Sequence, residues 1–243
     1  MAVVVPSRDH SATTLAPVAL IIDRSSSTED IREIINLSTK KLIQQLKDEM
    51  VLKGAVRLLV VTYGKTFETL VDFKPLEEVS ENDLMIAQSH GATDTGKALL
   101  YTMNRLDEMK GVWKSEGKDY FQPIVFLLTD GYPDAGVGAT QEEINLVEES
   151  YQSAANMIKQ KESANRSERQ KIVFVAAGLQ RKNGASANME KLRQLTSYPD
   201  RILCVSEDCQ GMQNIDSFFI LLKKTTINQG TDIQDIMGDI LDE

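Results

Sequence analysis

The sequence predicts an α/β fold: a mainly parallel central sheet with one antiparallel edge strand and helices on both faces. Three observations carry this. Apolar runs of strand length, Val18–Ile22, Ile124–Thr129 and Ile172–Ala177, alternate with long helical patterns. Two of these runs lead into an aspartate, Asp23 and Asp130, at the strand-to-helix edge where open α/β sheets bind ligands. Between Val56–Tyr63 and Phe67–Phe73 lies the tight turn Gly64-Lys65, which returns a strand antiparallel to its neighbour.

Taken in order, residues 1–15 are polar and aperiodic and read as a loose arm or edge cover. The first strand spans 17–22 and the turn 23–27 follows it. Ile31, Ile34, Ile35, Leu42, Leu46 and Met50 keep helical spacing, which predicts an amphipathic helix over 29–52 ended by Gly54. After the hairpin, Ser80 caps a short helix reaching about Gln88. A glycine-rich turn, Gly91–Gly96, opens a helix over 95–110, and the polar stretch 110–119 reads as a surface loop. The central strand 123–129 enters a second glycine-rich loop, 131–136. The helix over 140–163 places Ile144, Val147, Tyr151, Ala154, Ala155 and Ile158 on one face. The strand 172–177, the turn Asn183-Gly184, a short helix over 186–196, the strand 202–205 and a helix from Ile215 to Lys224 complete the pattern. With no internal repeat, this is one domain over 16–227, preceded by the arm and followed by an acidic amphipathic tail, 228–243.

At 243 residues and 42% hydrophobic content, the chain is long enough to bury a sizeable core. Its net charge of −9 argues against sequence-independent nucleic-acid binding and against an anionic membrane surface. No apolar run approaches a membrane span, and Met1–Pro6 lacks the basic region of a signal peptide. Cys204 and Cys209 are the only cysteines, so no disulfide framework is indicated and the expected location is cytoplasmic.

Chemistry concentrates at three edge turns. Asp23-Arg24-Ser25-Ser26-Ser27 offers one carboxylate and two hydroxyls at alternate positions. Gly91-Ala92-Thr93-Asp94-Thr95-Gly96 adds a hydroxyl at a second helix start, and Thr129-Asp130-Gly131 adds a second carboxylate. Hard oxygen donors of this kind suit magnesium. Together these segments resemble the metal-ion-dependent adhesion site of von Willebrand factor A (VWA) domains: D-x-S-x-S, a threonine after a glycine-rich turn, then T-D-G. Asp23, Ser25, Ser27, Thr93 and Asp130 match its metal-site positions. The resemblance implies a Rossmann-like VWA fold. Thr129–Asp134, and Leu70–Val79 with its hairpin and connector, are similar to the bacterial intracellular branch related to TerY, the VWA protein of tellurium-resistance operons. Ser26 and Ala92 stand where glycines are common in the family, and Asp134 comes one residue early relative to some members.

The resemblance implies a magnesium ion, with manganese or calcium as alternatives. Ser25 and Ser27 would bind it directly, Thr93 directly or through water, and Asp23 and Asp130 through waters or by orienting the serines. An ion with few direct carboxylates stays electron-poor and accepts an aspartate or glutamate from a partner protein. Relatives in that branch are associated with stress-response and conflict systems, beside kinase-like and phosphatase-like proteins. The expected role is therefore a non-enzymatic protein-binding module. Adaptor to an ATPase is the alternative, and a magnesium-dependent hydrolase is a weaker one, because the sequence offers no convincing base, nucleophile elbow or phosphate-binding loop.

Each piece also has an ordinary reading. Asp23 could be a helix N-terminal anion and Ser25 and Ser27 caps; Thr93 and Thr95 could be capping residues; Asp130-Gly131 could be a plain turn. Arg24 is expected at the solvent surface and Asp94 as a solvated turn residue. His10 and His90, the only histidines, read as structural or surface groups, with His90 near the site rim. Cys204 and Cys209 are a poor zinc pair. Trp113 in its polar stretch is a candidate exposed anchor, or folds back onto its helix. In the tail, Ile233, Ile236, Met237, Ile240 and Leu241 recur at helical spacing with acids between, for docking on the domain, on a partner or on the metal site of another copy.

Overall fold

The computed structural model describes residues 14–49, 54–87, 91–163, 170–179, 187–205 and 215–227, without the side chains of 30 and 215–218. His10, His90, Cys209, the Asn183-Gly184 turn, most of the arm and the tail lie outside the described residues.

Six strands, β1 (Ala16–Asp23), β2 (Val56–Tyr63), β3 (Phe67–Pro75), β4 (Ile124–Thr129), β5 (Val173–Leu179) and β6 (Ile202–Val205), form one sheet in the order β3-β2-β1-β4-β5-β6. All neighbours are parallel except β2 and β3, so the hairpin supplies the antiparallel edge. β1 and β4 are buried at every position, as the centre of a sheet covered on both faces requires. Alternate residues of β1 serve opposite cores. Val18, Leu20 and Ile22 meet α1 (Arg32–Asp48) and α5 (Ile215–Ile227), whereas Ala19 and Ile21 meet α2 (Thr95–Ser115), α3 (Gln141–Glu162) and the short α4 (Met189–Arg193). From β1 the chain first moves to β2 on one side and returns later to β4 on the other. The carboxyl ends of β1 and β4 therefore flank the switch point of the sheet, the place where open α/β sheets bind their ligands.

Several predicted elements shift. The helix expected over 29–52 begins as a 3₁₀ turn, Ser26–Ile31, because Thr28 Oγ1 donates to the carbonyls of Asp23 and Ser25 and tightens the chain; regular α1 starts at Arg32 and stops at Asp48. The helix at Ser80 is a 3₁₀ turn, Glu81–Leu84, closed by a reciprocal capping box between Ser80 and Asp83. The helix expected to end near 110 runs to Ser115, and most of the expected surface loop is helical. Trp113 is buried, edge-on to Phe73 with centroids 5.4 Å apart and beside Tyr120, so it is not an exposed anchor. A bulge explains its seat. β3 carries an extra residue where its register with Leu58 and Val60 shifts, and Phe73 has φ +42°. Val71 thus faces one core and Phe73, two residues on, the other. Ile144, expected on the buried face of α3, is exposed; the buried residues of α3 begin at Tyr151 and continue through Ala154, Ala155 and Ile158. The helix expected over 186–196 is the single turn and a half of α4.

Candidate metal centre

β1 delivers Asp23 to the sheet edge 1% exposed. Its Oδ1 accepts from the Ser25 backbone N–H at 2.8 Å, which folds the next residues into a tight turn. The hydroxyls of Ser25 and Ser27 then meet at 2.9 Å. Ser25 sits at the cap position of the 3₁₀ turn without capping it through its side chain, so the reading of this hydroxyl as a helix cap fails. Oxygens of three residues are thus held within one loop.

β4 supplies the opposite wall. Ile22 pairs with Leu128, so Thr129 lies beside Asp23 and Asp130 follows one residue beyond. Thr129 Oγ1 donates to Asp23 Oδ2 at 2.7 Å and accepts from the Gly131 N–H at 3.1 Å. Asp130 is 1% exposed; its Oδ1 accepts from the Tyr132 N–H at 3.2 Å, and its carbonyl accepts from Asn188 N–H. Gly131 is required twice: its φ is +75°, and a Cβ there would stand 3.0 Å from both the Asn188 carbonyl oxygen and Leu192 Cγ.

Thr93 is buried and joins this wall through its backbone, exchanging two hydrogen bonds with Asp134 at 2.7 and 3.0 Å. Its link to Asp23, Ser25 and Ser27 is therefore by placement on the same edge. The Gly91 N–H donates to Ser26 Oγ at 3.0 Å, so the serine replacing a common glycine straps the first loop to the second.

Burial, and next the Asp130 carboxylate, push the Asp23 carboxyl up to about 6, against the hydrogen bonds from Thr129 and Ser25. Tyr63, paired with Asp23 across β1 and β2, is held well above the ordinary phenol value, first by burial and then by that carboxylate. Among the described residues no three His, Cys, Asp or Glu side chains form a metal-holding group. The donor set is instead two carboxylates with hydroxyls, which fits a hard oxygen-seeking cation and no softer metal.

Neighbouring residues differ from expectation. Asp94 is 8% exposed: it caps α2 at the Lys97 N–H, accepts from Ser150 Oγ at 2.9 Å and pairs with Lys97 Nζ at 2.7 Å. Its carboxylate is committed to structure. Arg24 is largely covered and pairs with Glu68 on β3 at 2.9 Å, which ties the first loop to the hairpin. Thr129 was legible only as part of T-D-G; its bond to Asp23 needs the β1–β4 register.

Residues 18–217 match the family model of the von Willebrand factor type A domain. The chain belongs to that family. This VWA domain is similar in fold to the open pilus adhesin SpaC of Lactobacillus rhamnosus GG, at TM-score 0.60 and 13% identity over 88% of this chain and 30% of that one. It is also similar to the vWF domain of the type V pili tip protein Mfa5 of Porphyromonas gingivalis, at TM-score 0.58 and 14% identity over 91% and 99%. Manganese-loaded TRAP of Plasmodium vivax matches at TM-score 0.53 and 15% identity over 90% and 75%. The VWA domain thus spans less than a third of the adhesin. No curated protein matches the chain in sequence. The VWA family is one of protein-interaction modules that often bind a metal, as manganese-loaded TRAP illustrates. No helix among the described residues is long and apolar enough to cross a membrane.

Proposed function

We propose that this VWA domain binds a carboxylate of a partner protein through a divalent cation held by Asp23, Ser25, Ser27, Thr93 and Asp130. The observation that carries the reading is the pairing of two buried carboxylates, Asp23 and Asp130, on adjacent strand ends beside the joined hydroxyls of Ser25 and Ser27. Two carboxylates buried on adjacent strand ends are costly unless positive charge compensates them. When bound, a magnesium ion would supply an electrophilic position for an anionic oxygen; manganese and calcium meet the same donors.

The chain's own residues do the rest. Asp23 accepts from the Ser25 backbone and from Thr129, which holds its carboxylate in one orientation. Ser25 and Ser27 present neutral oxygens that leave a cation's charge unquenched. Asp130 adds charge from a strand end whose geometry Gly131 and Thr129 hold.

The finer reading is a TerY-like partner-recruiting component of a bacterial stress-response or conflict system, cytoplasmic and without catalysis of its own. Thr129–Asp134 and Leu70–Val79 support that branch. Kinase-like, phosphatase-like and ATPase proteins are the partners it suggests. Calorimetric titration of magnesium, manganese and calcium, with capture of a partner on immobilised chain, tests the reading. Wild type should take up the cation and lose its partner in chelator; Ser25→Ala should neither take up the cation nor capture the partner, while melting normally. A Ser25→Ala chain that holds the same partner equally well with and without chelator overturns it.

A further inference from the structure

In the turn Asp23-Arg24-Ser25-Ser26-Ser27 the three candidate metal-site residues alternate with Arg24 and Ser26. Both intervening residues are tied to other parts of the sheet edge. Arg24 lies one residue past β1, where its N–H donates to the Tyr63 carbonyl at 2.7 Å and its guanidinium reaches Glu68 on β3 at 2.9 Å. The Arg24 side chain is only 10% exposed. The sheet fixes both ends of this tie, since Ile22 pairs with Thr62 and Thr62 with Glu68 across β1, β2 and β3. The ion pair thus spans two strand spacings, roughly 10 Å, between backbones that hydrogen bonds hold in place. On the other flank Ser26 Oγ accepts from the Gly91 N–H at 3.0 Å. Gly91 shortly precedes Thr93, whose backbone is bound to Asp134, and Asp94 donates to the Gly64 carbonyl at 3.1 Å. The first loop is therefore bound to the hairpin on one side and to the second loop on the other.

We propose that Arg24, through Glu68, and Ser26 are positioning residues: they clamp the Ser25 and Ser27 hydroxyls in one geometry before a cation arrives, and so set which divalent cation the centre prefers. The proposal rests on the metal reading and adds to it the residues that govern selectivity. Ordering a loop on binding costs affinity, and bonds that order it beforehand remove that cost. The gain differs between ions. Magnesium demands near-ideal octahedral geometry, whereas calcium accepts variable and flexible shells. A clamped loop favours magnesium, and a loosened one loses magnesium affinity first.

Calorimetric titration of magnesium and of calcium into the full chain tests it, on wild type, Glu68→Ala, Ser26→Ala and Ser26→Thr. Each alanine variant should weaken magnesium binding by about tenfold and calcium binding by less than about threefold. The two ions carry equal charge, so removal of the Glu68 carboxylate does not by itself move their ratio. Ser26→Thr keeps the acceptor oxygen and should stay within about twofold of wild type for both ions. All four chains should melt alike, because the Glu68 side chain is 51% exposed and Ser26 lies at the surface. In the cation-free chain the Gly91 amide, followed by NMR hydrogen exchange, should exchange several-fold faster in Ser26→Ala than in wild type. Magnesium-to-calcium ratios that match wild type in both alanine variants overturn the proposal and leave the metal reading standing. So does a wild type that binds calcium more tightly than magnesium, a Gly91 amide indifferent to Ser26→Ala, or an equal loss of both ions that follows a lowered melting temperature. A wild type that takes up neither ion sinks the metal reading and the proposal with it.

Discussion

Thr129 Oγ1 donates to Asp23 Oδ2 at 2.7 Å, joining the ends of the two central strands just below the candidate metal centre. One hydroxyl thereby orients a carboxylate that comes more than a hundred residues earlier in the chain. Thr129→Val keeps the shape but removes this donor and the acceptor for Gly131. It should weaken magnesium binding by about 10–100-fold and cost about 1–3 kcal/mol of stability. Thr129→Ser should retain most of both. Calorimetry and urea melts on the three chains check this.

Glu162, at the end of α3, accepts from Thr196 Oγ1 at 2.7 Å and from the Ser197 N–H at 2.8 Å. Burial raises its carboxyl above the ordinary 4.5, against these bonds and the Arg201 charge. A raised carboxyl binds protons more readily folded than unfolded. Its contribution is therefore fully present below the unfolded value and is lost as pH rises through the folded value. Glu162→Gln lacks that loss. The stability gap between the two proteins should move in favour of the glutamine variant as pH climbs from 4 to 7, whatever constant offset the missing acceptor adds. Urea melts at stepped pH read that slope, and a pH-independent gap would contradict it.

Gly96 lies where α2 meets α3. A Cβ there would stand 2.3 Å from the Ser150 carbonyl carbon and 2.4 Å from the Tyr151 nitrogen. These are backbone atoms and cannot swing aside. Gly96→Ala should destabilise the domain by about 1–3 kcal/mol, measured by denaturant unfolding, although alanine is the better helix former.

Trp113 is the only tryptophan, so its fluorescence reports one site. Its emission should be that of a buried indole, shifting to that of an exposed one on unfolding. Trp113→Ala should cost about 3–5 kcal/mol, and Trp113→Phe much less. An emission maximum already at the solvent-exposed position in the folded chain would contradict the packing on Phe73 and Tyr120.

The sheet was legible because buried parallel strands are continuous apolar runs, and β1, β2, β4, β5 and β6 all are. The hairpin was legible from Gly64-Lys65. The grouping of Asp23, Ser25 and Ser27 was legible because spacing of two within one turn brings side chains together. Trp113 was hidden because α2 buries a narrow stripe, Met103, Leu106, Lys110 and Trp113, and a lysine in that stripe reads as a surface signal. The burial of Asp94 depends on Ser150, fifty-six residues away, and that of Arg24 on Glu68. The Phe73 bulge has no local signature at all, since its backbone takes a positive φ without glycine.

β1 and β4 being immediate neighbours sets a length scale. Parallel strands lie about 4.8 Å apart, and Asp23 and Asp130 ride on the ends of two of them. The span between these acids is thus metered by backbone hydrogen bonding in the middle of the sheet, not by loop sequence. A change of sequence in either loop would leave that ruler constant.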